Sequence, residues 1–208
     1  MSGFSTSDRK IYASVMGGKF RLKATEKSDT AIVQTRIKKT GEQVTEEVHD
    51  QLEGWIKDIS FDLGNSLGPM LNIVVNAGFD VSFSLSLKGG PSKAFLKTLP
   101  NVDLSKEVVF KPRVEEFIRP DGSKGTSNSM LLKQNGAWLK QYFKKDAMNG
   151  MPDYTKVLDK LTKKETLDDS DQVGFLVEYT VKHTLPKLII AAPKAATIIA
   201  EEEEELPF

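Results

Sequence analysis

Hydrophobic and polar residues alternate most regularly in the stretch FDVSFSLSLKGG, which begins at Phe79. In an extended chain, successive side chains point to opposite faces. One face would then carry Phe79, Val81, Phe83, Leu85 and Leu87, and the other Asp80, Ser82, Ser84, Ser86 and Lys88. The pattern predicts a half-buried strand with a small, polar outer face.

Further elements flank this strand. WIKDISFDLG and GPMLNIVVNAG precede it as strand candidates, and PSKAFLKTLP follows as a short helix closed by Pro100. KEVVFKP and SNSMLLKQNGAWLKQYF then continue as strands. Three strands, a helix and two strands are the element order of an OB fold, a five-stranded Greek-key β-barrel. We therefore expect a mainly β protein with an OB-fold core.

The flanking segments are predicted from the same signals. GGKFRLKAT and TAIVQTRIK are expected to pair as an N-terminal β-hairpin, and EQVTEEVHDQLEG to form a short helix. MPDYTKVLDKLTKK places Tyr154, Val157, Leu158 and Leu161 on one helical stripe, QVGFLVEYTV returns as a strand, and LPKLIIAAPKAATIIA is a tether. The expected organisation is a β-rich extension over 1–54 packed on the core, an OB-fold core with a C-terminal helix and strand over 55–182, and a tether with an acidic tail over 183–208.

The segment around Asn135-Gly136 is the strongest candidate for contact with nucleic acid. A two-residue type I′ turn there pairs Lys133 with Trp138, Leu131 with Lys140 and Ser129 with Tyr142. It leaves Met130, Leu132 and Leu139 on the opposite face. The exposed face then carries Lys133, Trp138, Lys140 and Tyr142. Aromatic rings stack on unpaired bases and lysines meet phosphates. The alternative is a helix after Gly136, which would bury Trp138 and Tyr142 in the core.

Other candidates lie on the strands and helix of the predicted barrel. Trp55, with Lys57 and Phe61 at the same strand parity, is a second stacking candidate. A basic funnel around the third strand, the helix and the fourth strand is expected from Lys88, Lys93, Lys97, Lys111 and Arg113.

Composition limits the chemistry. The 208 residues include no cysteine, which excludes disulfides, thiolate nucleophiles and cysteine-based zinc sites. The opening MSGFSTSDRK lacks the apolar stretch of a signal peptide, and no apolar run is long enough for a membrane span. We expect a cytoplasmic protein that does not associate with membranes, located in the host cytoplasm if it is viral.

One motif is typical of an enzyme. Gly64 to Gly68 matches the G-x-S-x-G pattern of a nucleophile elbow around Ser66, but Pro69 and a β-rich segment follow where the elbow requires a helix. We interpret GNSLG as a hairpin loop and keep a serine hydrolase as a minor alternative. His49 and His183 have no metal-ligand spacing around them, so neither a metal nor another cofactor is expected.

The charge distribution is uneven although the formal net charge is zero. Residues 1–164 hold 26 Lys and Arg against 19 Asp and Glu, a surplus of 7, and residues 165–208 hold 3 Lys against 10 acids, a deficit of 7. The chain ends in EEEEELPF, that is Glu201, Glu202, Glu203, Glu204, Glu205, Leu206, Pro207 and Phe208. A basic body with an acidic tail is typical of a polyanion binder whose tail competes for the same surface.

These features resemble a known family. The order from LNIVVNAGFDVSFSLSLKGG through FLKTLPNVDLSK to SMLLKQNGAWLKQYF is similar to the OB-fold core of bacteriophage single-stranded DNA-binding proteins. EEEEELPF resembles the acidic, Pro-Phe-ending tip of their bacterial counterparts. The resemblance implies a non-catalytic protein that coats single-stranded DNA without strong sequence preference during replication, recombination and repair. It also implies that the tip recruits replication or recombination proteins.

The alternative function is an OB-like adaptor with an acidic tail that binds protein instead of DNA. Binding to duplex DNA and assembly as a homodimer both stay open, because a basic groove attracts any phosphate backbone and edge strands are not marked in a sequence.

Overall fold

The computed structural model describes residues 10–23, 32–38, 40–119, 121–158 and 165–191, and the structural statements below refer to these. The predicted Leu161 and the tail Glu201–Phe208 lie outside them. The strands are Lys10–Met16 (β1), Lys19–Lys23 (β2), Ile32–Ile37 (β3), Gln43–His49 (β4), Leu52–Asp62 (β5), Met70–Asn76 (β6), Asp80–Ser86 (β7), Val108–Ile118 (β8), Lys124–Gln134 (β9), Ala137–Trp138 (β10), Thr155–Leu158 (β11) and Glu165–Asp168 (β12). The helices are Gly90–Thr98 (α1), Ser170–His183 (α2) and Leu185–Ala191 (α3). The predicted class, mainly β, is confirmed.

Ten strands form one sheet in the order β10-β9-β8-β5-β6-β7-β1-β2-β4-β3, and β11 pairs with β12 separately. The pair of β1 and β7 is parallel, and the other neighbours are antiparallel. The expected closed five-stranded barrel is not found among the described residues. The strands at its two ends have other partners, because β7 pairs with β1 and β9 with β10.

A chain of aromatic rings joins distant parts of the sequence in the core. The ring of Phe20 on β2 lies 5.2 Å from that of Phe83 on β7, Phe83 lies 5.9 Å from Phe110 on β8, and Phe110 lies 6.2 Å from Phe95 on α1. All four side chains are buried. The N-terminal strands therefore contribute to the main core, and a division at residue 54 falls within β5.

The elements between β5 and β9 agree with the prediction. On β7, the side chains of Val81, Phe83 and Leu85 are buried, whereas Ser84 and Ser86 are exposed. Two positions differ from the predicted alternation, because Ser82 is also buried and Phe79, just before the strand, is exposed. Helix α1 is followed by a 3₁₀ turn, Leu99–Asn101, that contains the predicted Pro100. Hydrophobic alternation and turn residues were sufficient here because each signal is local.

The predicted pairing of the two N-terminal segments is wrong. Strand β2 pairs with β1 and β4, and among the described strands β3 pairs only with β4. The segment predicted as a short helix is in fact β4, which lies between them. Its Glu46 accepts hydrogen bonds from Arg36 on β3 at 2.7 and 2.8 Å and from Arg21 on β2 at 3.5 Å. These cross-strand partners favour a strand over the local helical tendency.

Three C-terminal predictions are also wrong. The segment around Tyr154 and Val157 is not helical but enters β11, all of whose residues are exposed, so the predicted stripe is not buried. QVGFLVEYTV lies in α2, which buries Gln172, Leu176 and Thr180 at helical spacing. The start of the predicted tether is α3, whose Leu188 is buried in the core.

Candidate nucleic-acid interface

The β9–β10 hairpin places an aromatic ring and a lysine side by side. Asn135 and Gly136 both have positive φ, 51° and 79°, as a type I′ turn requires. Trp138 then pairs with Lys133, and the Lys133 Nζ lies 5.8 Å from the centre of the indole ring. Trp138 is 50% exposed. The predicted turn and the pairing of Lys133 with Trp138 are confirmed, and the alternative helix after Gly136 is not formed.

A second tryptophan lies on the same face of the sheet. Lys133 pairs with Val109 on β8, and Val109 pairs with Glu53 on β5, so all three side chains point to one side. Trp55 follows Glu53 by two positions and is 38% exposed. We call the side that carries Trp138, Lys133 and Trp55 the outer face. Measured across the strands, the two indoles are three spacings or about 14 Å apart, and they are offset by two residues, about 7 Å, along the strands.

Gly54 fixes the backbone next to Trp55. Strand β5 pairs with β8 up to Gly54 and with β6 from Trp55 onward, so the sheet changes partner at this point. A Cβ atom at Gly54 would lie 2.2 Å from the carbonyl oxygen of Asn76 on β6. Glycine is therefore the residue that lets β6 approach closely enough to pair at Trp55.

A cleft of about 600 Å³ opens on the outer face beside Trp55 and Lys133. Its charged residues are Lys106 and Lys133 and the carboxylates Glu53 and Glu107. Lys106 already pairs with Asp103 at 3.1 Å. The cleft itself is thus not strongly basic, and the indole ring of Trp55 is its more distinctive feature. Lys106 was not among the predicted residues, because it precedes β8 and only the folded chain brings it to the cleft beside Trp55.

Three more predicted cations lie on the outer face. Lys111 and Arg113 alternate with buried positions of β8, and Arg113 contacts Glu115 at 2.5 Å. Lys57 lies on β5 at a β-bulge and pairs with Asp80 at 2.6 Å. The bulge reverses the side-chain parity, so Phe61 packs against the core and the predicted parity of Phe61 with Trp55 is wrong.

The predicted basic funnel is not assembled. Helix α1 packs its Phe95 on Phe110, which lies on the opposite side of β8 from Lys111. Lys93 on α1 forms an ion pair with Asp169, and the Lys97 Nζ lies 3.5 Å from Gln172. These two lysines therefore face α2 and not the outer face. Lys93 and Lys97 are absent from the outer face because α1 packs against the opposite, core side of the sheet.

Two further lysines that were predicted to bind DNA, Lys88 and Lys140, lie outside the strands that form the outer face. Lys88 lies in the turn before α1 and contributes, after hydrogen bonds from Ser170, to the lowered pKa of Asp168. Lys140 is exposed beyond the end of β10, where its carbonyl oxygen accepts a hydrogen bond from Asn101 at 2.9 Å. The predicted continuation of the hairpin to Leu131 and Lys140 is not formed.

Tyr142 belongs to the core and not to the outer face, so its predicted position is wrong. Its backbone nitrogen donates to the carbonyl oxygen of Lys97 at 2.8 Å, which turns the chain towards α1. Its ring lies 4.9 Å from Phe143 and 6.3 Å from Tyr179 on α2. Burial, with a smaller contribution from Tyr142, raises the pKa of the Tyr179 hydroxyl.

The GNSLG segment joins two antiparallel strands, β5 and β6, as the hairpin-loop interpretation predicted. The amide of Gly68 donates to the carbonyl oxygen of Asn65 at 2.9 Å, and β6 begins at Met70. His183 lies on α2, with its ring 4.5 Å from that of Tyr179.

The described residues contain no group of three His, Asp or Glu side chains that could hold a metal ion. Within the same ranges, no helix has the length and apolarity that a membrane crossing requires. Comparison of the chain with protein-family models, curated proteins and solved structures found no match.

Proposed function

We propose that this protein binds single-stranded DNA without strong sequence preference and without catalysis. The observation that carries the proposal is the pair of exposed indoles, Trp138 and Trp55, on one face of a sheet, with Lys133 beside one of them. Every base has a π face, so aromatic rings bind unpaired bases independently of sequence. Lys111 and Arg113 on the same face supply charge for the phosphates.

The strand connections support an OB-like core. In an OB fold, the first strand pairs with the second and the fourth, and the fifth pairs with the fourth. Here β5 pairs with β6 and β8, β9 pairs with β8, and α1 connects β7 to β8. In this assignment β6 and β7 are the second and third strands, whose face binds oligonucleotides in OB folds.

The acidic C-terminal segment has a role in the same proposal. We infer that the five glutamates compete with DNA for the basic surface, and that a bound strand releases the tip for replication or recombination proteins. Phe208 offers an aromatic ring for a shallow apolar pocket, and the glutamates before it favour a basic rim around that pocket. Pro207 limits the conformational freedom that is lost on binding.

Fluorescence anisotropy with labelled oligo-dT and the matching duplex, at several salt concentrations, tests the proposal. The intact chain should bind the single strand in a salt-dependent manner, and a chain that ends at Ala200 should bind more tightly. Trp138→Ala should lower the affinity by about 1–3 kcal/mol, the value of one stacked base, whereas Trp138→Phe retains a ring and should lose less.

Each outcome has a definite meaning. Absence of binding by both the intact and the shortened chain at low salt would contradict the proposal and favour the protein-binding adaptor. Binding that is unaffected by truncation would contradict only the competition by the tail. Equal affinity of Trp138→Ala and the unaltered chain would remove Trp138 from the interface.

A further inference from the structure

The outer face continues beyond Trp55 onto a strand that was not considered part of the interface. Trp55 pairs with Asn76 on β6, Asn76 pairs with Asp80 on β7, and Asp80 pairs with Lys10 on β1. These paired side chains lie on the same side of the sheet, because paired residues of neighbouring strands share a face. Tyr12, two positions after Lys10, is therefore on the outer face, and it is 70% exposed.

The contact between Lys10 and Tyr12 repeats the one at the other end of the face. The Lys10 Nζ lies 5.7 Å from the centre of the Tyr12 ring, compared with 5.8 Å for Lys133 and Trp138. Tyr12 is three strand spacings from Trp55, which is the interval between Trp55 and Trp138. Three exposed rings thus follow one another across the outer face at intervals of about 14 Å.

Short polar side chains occupy much of the surface between Trp55 and Tyr12. On β6 and β7 the paired outer positions Val74 and Ser82 are buried. The other outer positions include Asn72, Asn76 and Ser84, and the Ser84 hydroxyl donates to Asn72 Oδ1 at 2.6 Å. Such side chains leave room for an extended backbone to lie against the sheet and offer it hydrogen-bonding groups.

A cleft of about 300 Å³ lies directly beside Tyr12, and its lining includes Arg21, Lys23 and Lys38. The two carboxylates of the cleft are already engaged, since Glu46 is held by arginines and Glu42 by Lys38 at 2.8 Å. Neither Lys23 nor Lys10 forms an ion pair within 4 Å among the described residues, although the charge of Lys23 contributes, after Lys38, to the lowered pKa of Glu42.

We propose that Tyr12, together with Lys10 and Lys23, is the third base-stacking and phosphate-binding position of the single-stranded DNA surface. A bound strand would run across the outer face from β10 to β1, over about 29 Å. This inference rests on the proposed function, and it assigns the N-terminal strands a direct role in binding.

The test compares oligo-dT of two lengths. At about 3.4 Å per nucleotide, about five nucleotides cover one interval between neighbouring rings, and about nine cover the whole path. Tyr12→Ala should weaken binding of the longer oligonucleotide by about 5- to 150-fold, the equivalent of one lost stacking interaction. It should change binding of the shorter one by no more than about twofold, because the Trp138–Trp55 interval remains. Tyr12→Phe, which keeps the ring, should restore most of the affinity.

Tyr154 provides a matched control. It is an exposed tyrosine with the Lys97 Nζ 5.9 Å from its ring, but it lies next to a different cleft, the one that includes Lys97 and Gln172. Tyr154→Ala should bind both oligonucleotides as the unaltered chain does.

The two proposals fail in different ways. Suppose that the unaltered chain binds the longer oligonucleotide, and that Trp138→Ala weakens this binding but Tyr12→Ala does not. The assignment of Tyr12 is then wrong and the proposed function stands. An equal loss of affinity for the longer oligonucleotide in Tyr12→Ala and Tyr154→Ala would also overturn the assignment of Tyr12. If the unaltered chain binds neither oligonucleotide, the proposed function itself fails.

Discussion

Replacing Phe20 with alanine tests whether the N-terminal strands are part of the core. The side chain is 1% exposed, and its ring packs edge-on against Phe83 with the centroids 5.2 Å apart. Truncation of a buried phenylalanine costs about 3–5 kcal/mol, because the transfer free energy is lost and a cavity remains. Up to about 1.5 kcal/mol of this comes from the ring contact itself. Since domains are stable by about 5–15 kcal/mol, the variant should lose a large part of its free energy of unfolding.

Urea denaturation of matched variants measures this loss. Phe20→Ala should lower the denaturation midpoint at an unchanged m-value and reduce Tm by about 6–20 °C. The control is Tyr12→Ala, an aromatic-to-alanine change in the same pair of strands but on the exposed side. It should change the free energy of unfolding by no more than about 0.5 kcal/mol.

The coupling between Phe20 and Phe83 sharpens the test. Because the rings touch, the double alanine variant should lose about 0.5–1.5 kcal/mol less than the sum of the single variants. A loss below about 1 kcal/mol for Phe20→Ala, or one equal to that of Tyr12→Ala, would refute the placement of β1 and β2 on the core.

Two further predictions concern a close contact in the sheet at Gly54 and the pH dependence of stability at Glu46. Gly54→Ala should lower the free energy of unfolding by about 1–3 kcal/mol and weaken DNA binding, because the new Cβ would lie 2.2 Å from the Asn76 carbonyl oxygen. The control is Gly64→Ala, whose new Cβ would have nothing within 4 Å. An equal loss of unfolding free energy in Gly64→Ala would contradict the role of the close contact at Gly54. Glu46 should contribute to stability above its ordinary pKa of 4.5, since the hydrogen bond from Arg36 holds its pKa lower. Glu46→Gln should therefore be less stable at pH 7, and denaturation at decreasing pH should show the difference shrinking as pH falls below about 4.5; a constant difference would refute this linkage.

The strands β1 and β2 have a larger role than the sequence predicted. Residues 1–54 were expected to form an extension packed on the core, whereas β1 pairs with β7 and β2 supplies Phe20 to the core. The same pairing that prevents β7 from closing a barrel also extends the outer face to Tyr12. The opening of the sheet and the length of the proposed DNA path therefore have one structural cause.

Much of the fold was predictable because its signals are local. The alternation around Val81 and Phe83 identified β7, and Asn135-Gly136 specified the turn that pairs Lys133 with Trp138. Each of these signals lies within about a dozen residues, where side-chain period and turn stereochemistry act directly.

Tertiary structure decided the remaining features. The strand around Glu46 depends on arginines 10 and 25 residues away, and α2 depends on the aromatic cluster that it covers. The side of the sheet against which α1 packs decides which lysines share a face with Trp138. The hydrophobic pattern of α1 does not reveal this side. The sequence by itself therefore determined the mainly β fold class, the elements from β5 to β9 and the β9–β10 hairpin. Only the tertiary structure decided strand pairing and the membership of the outer face, because both depend on contacts between residues far apart in the chain.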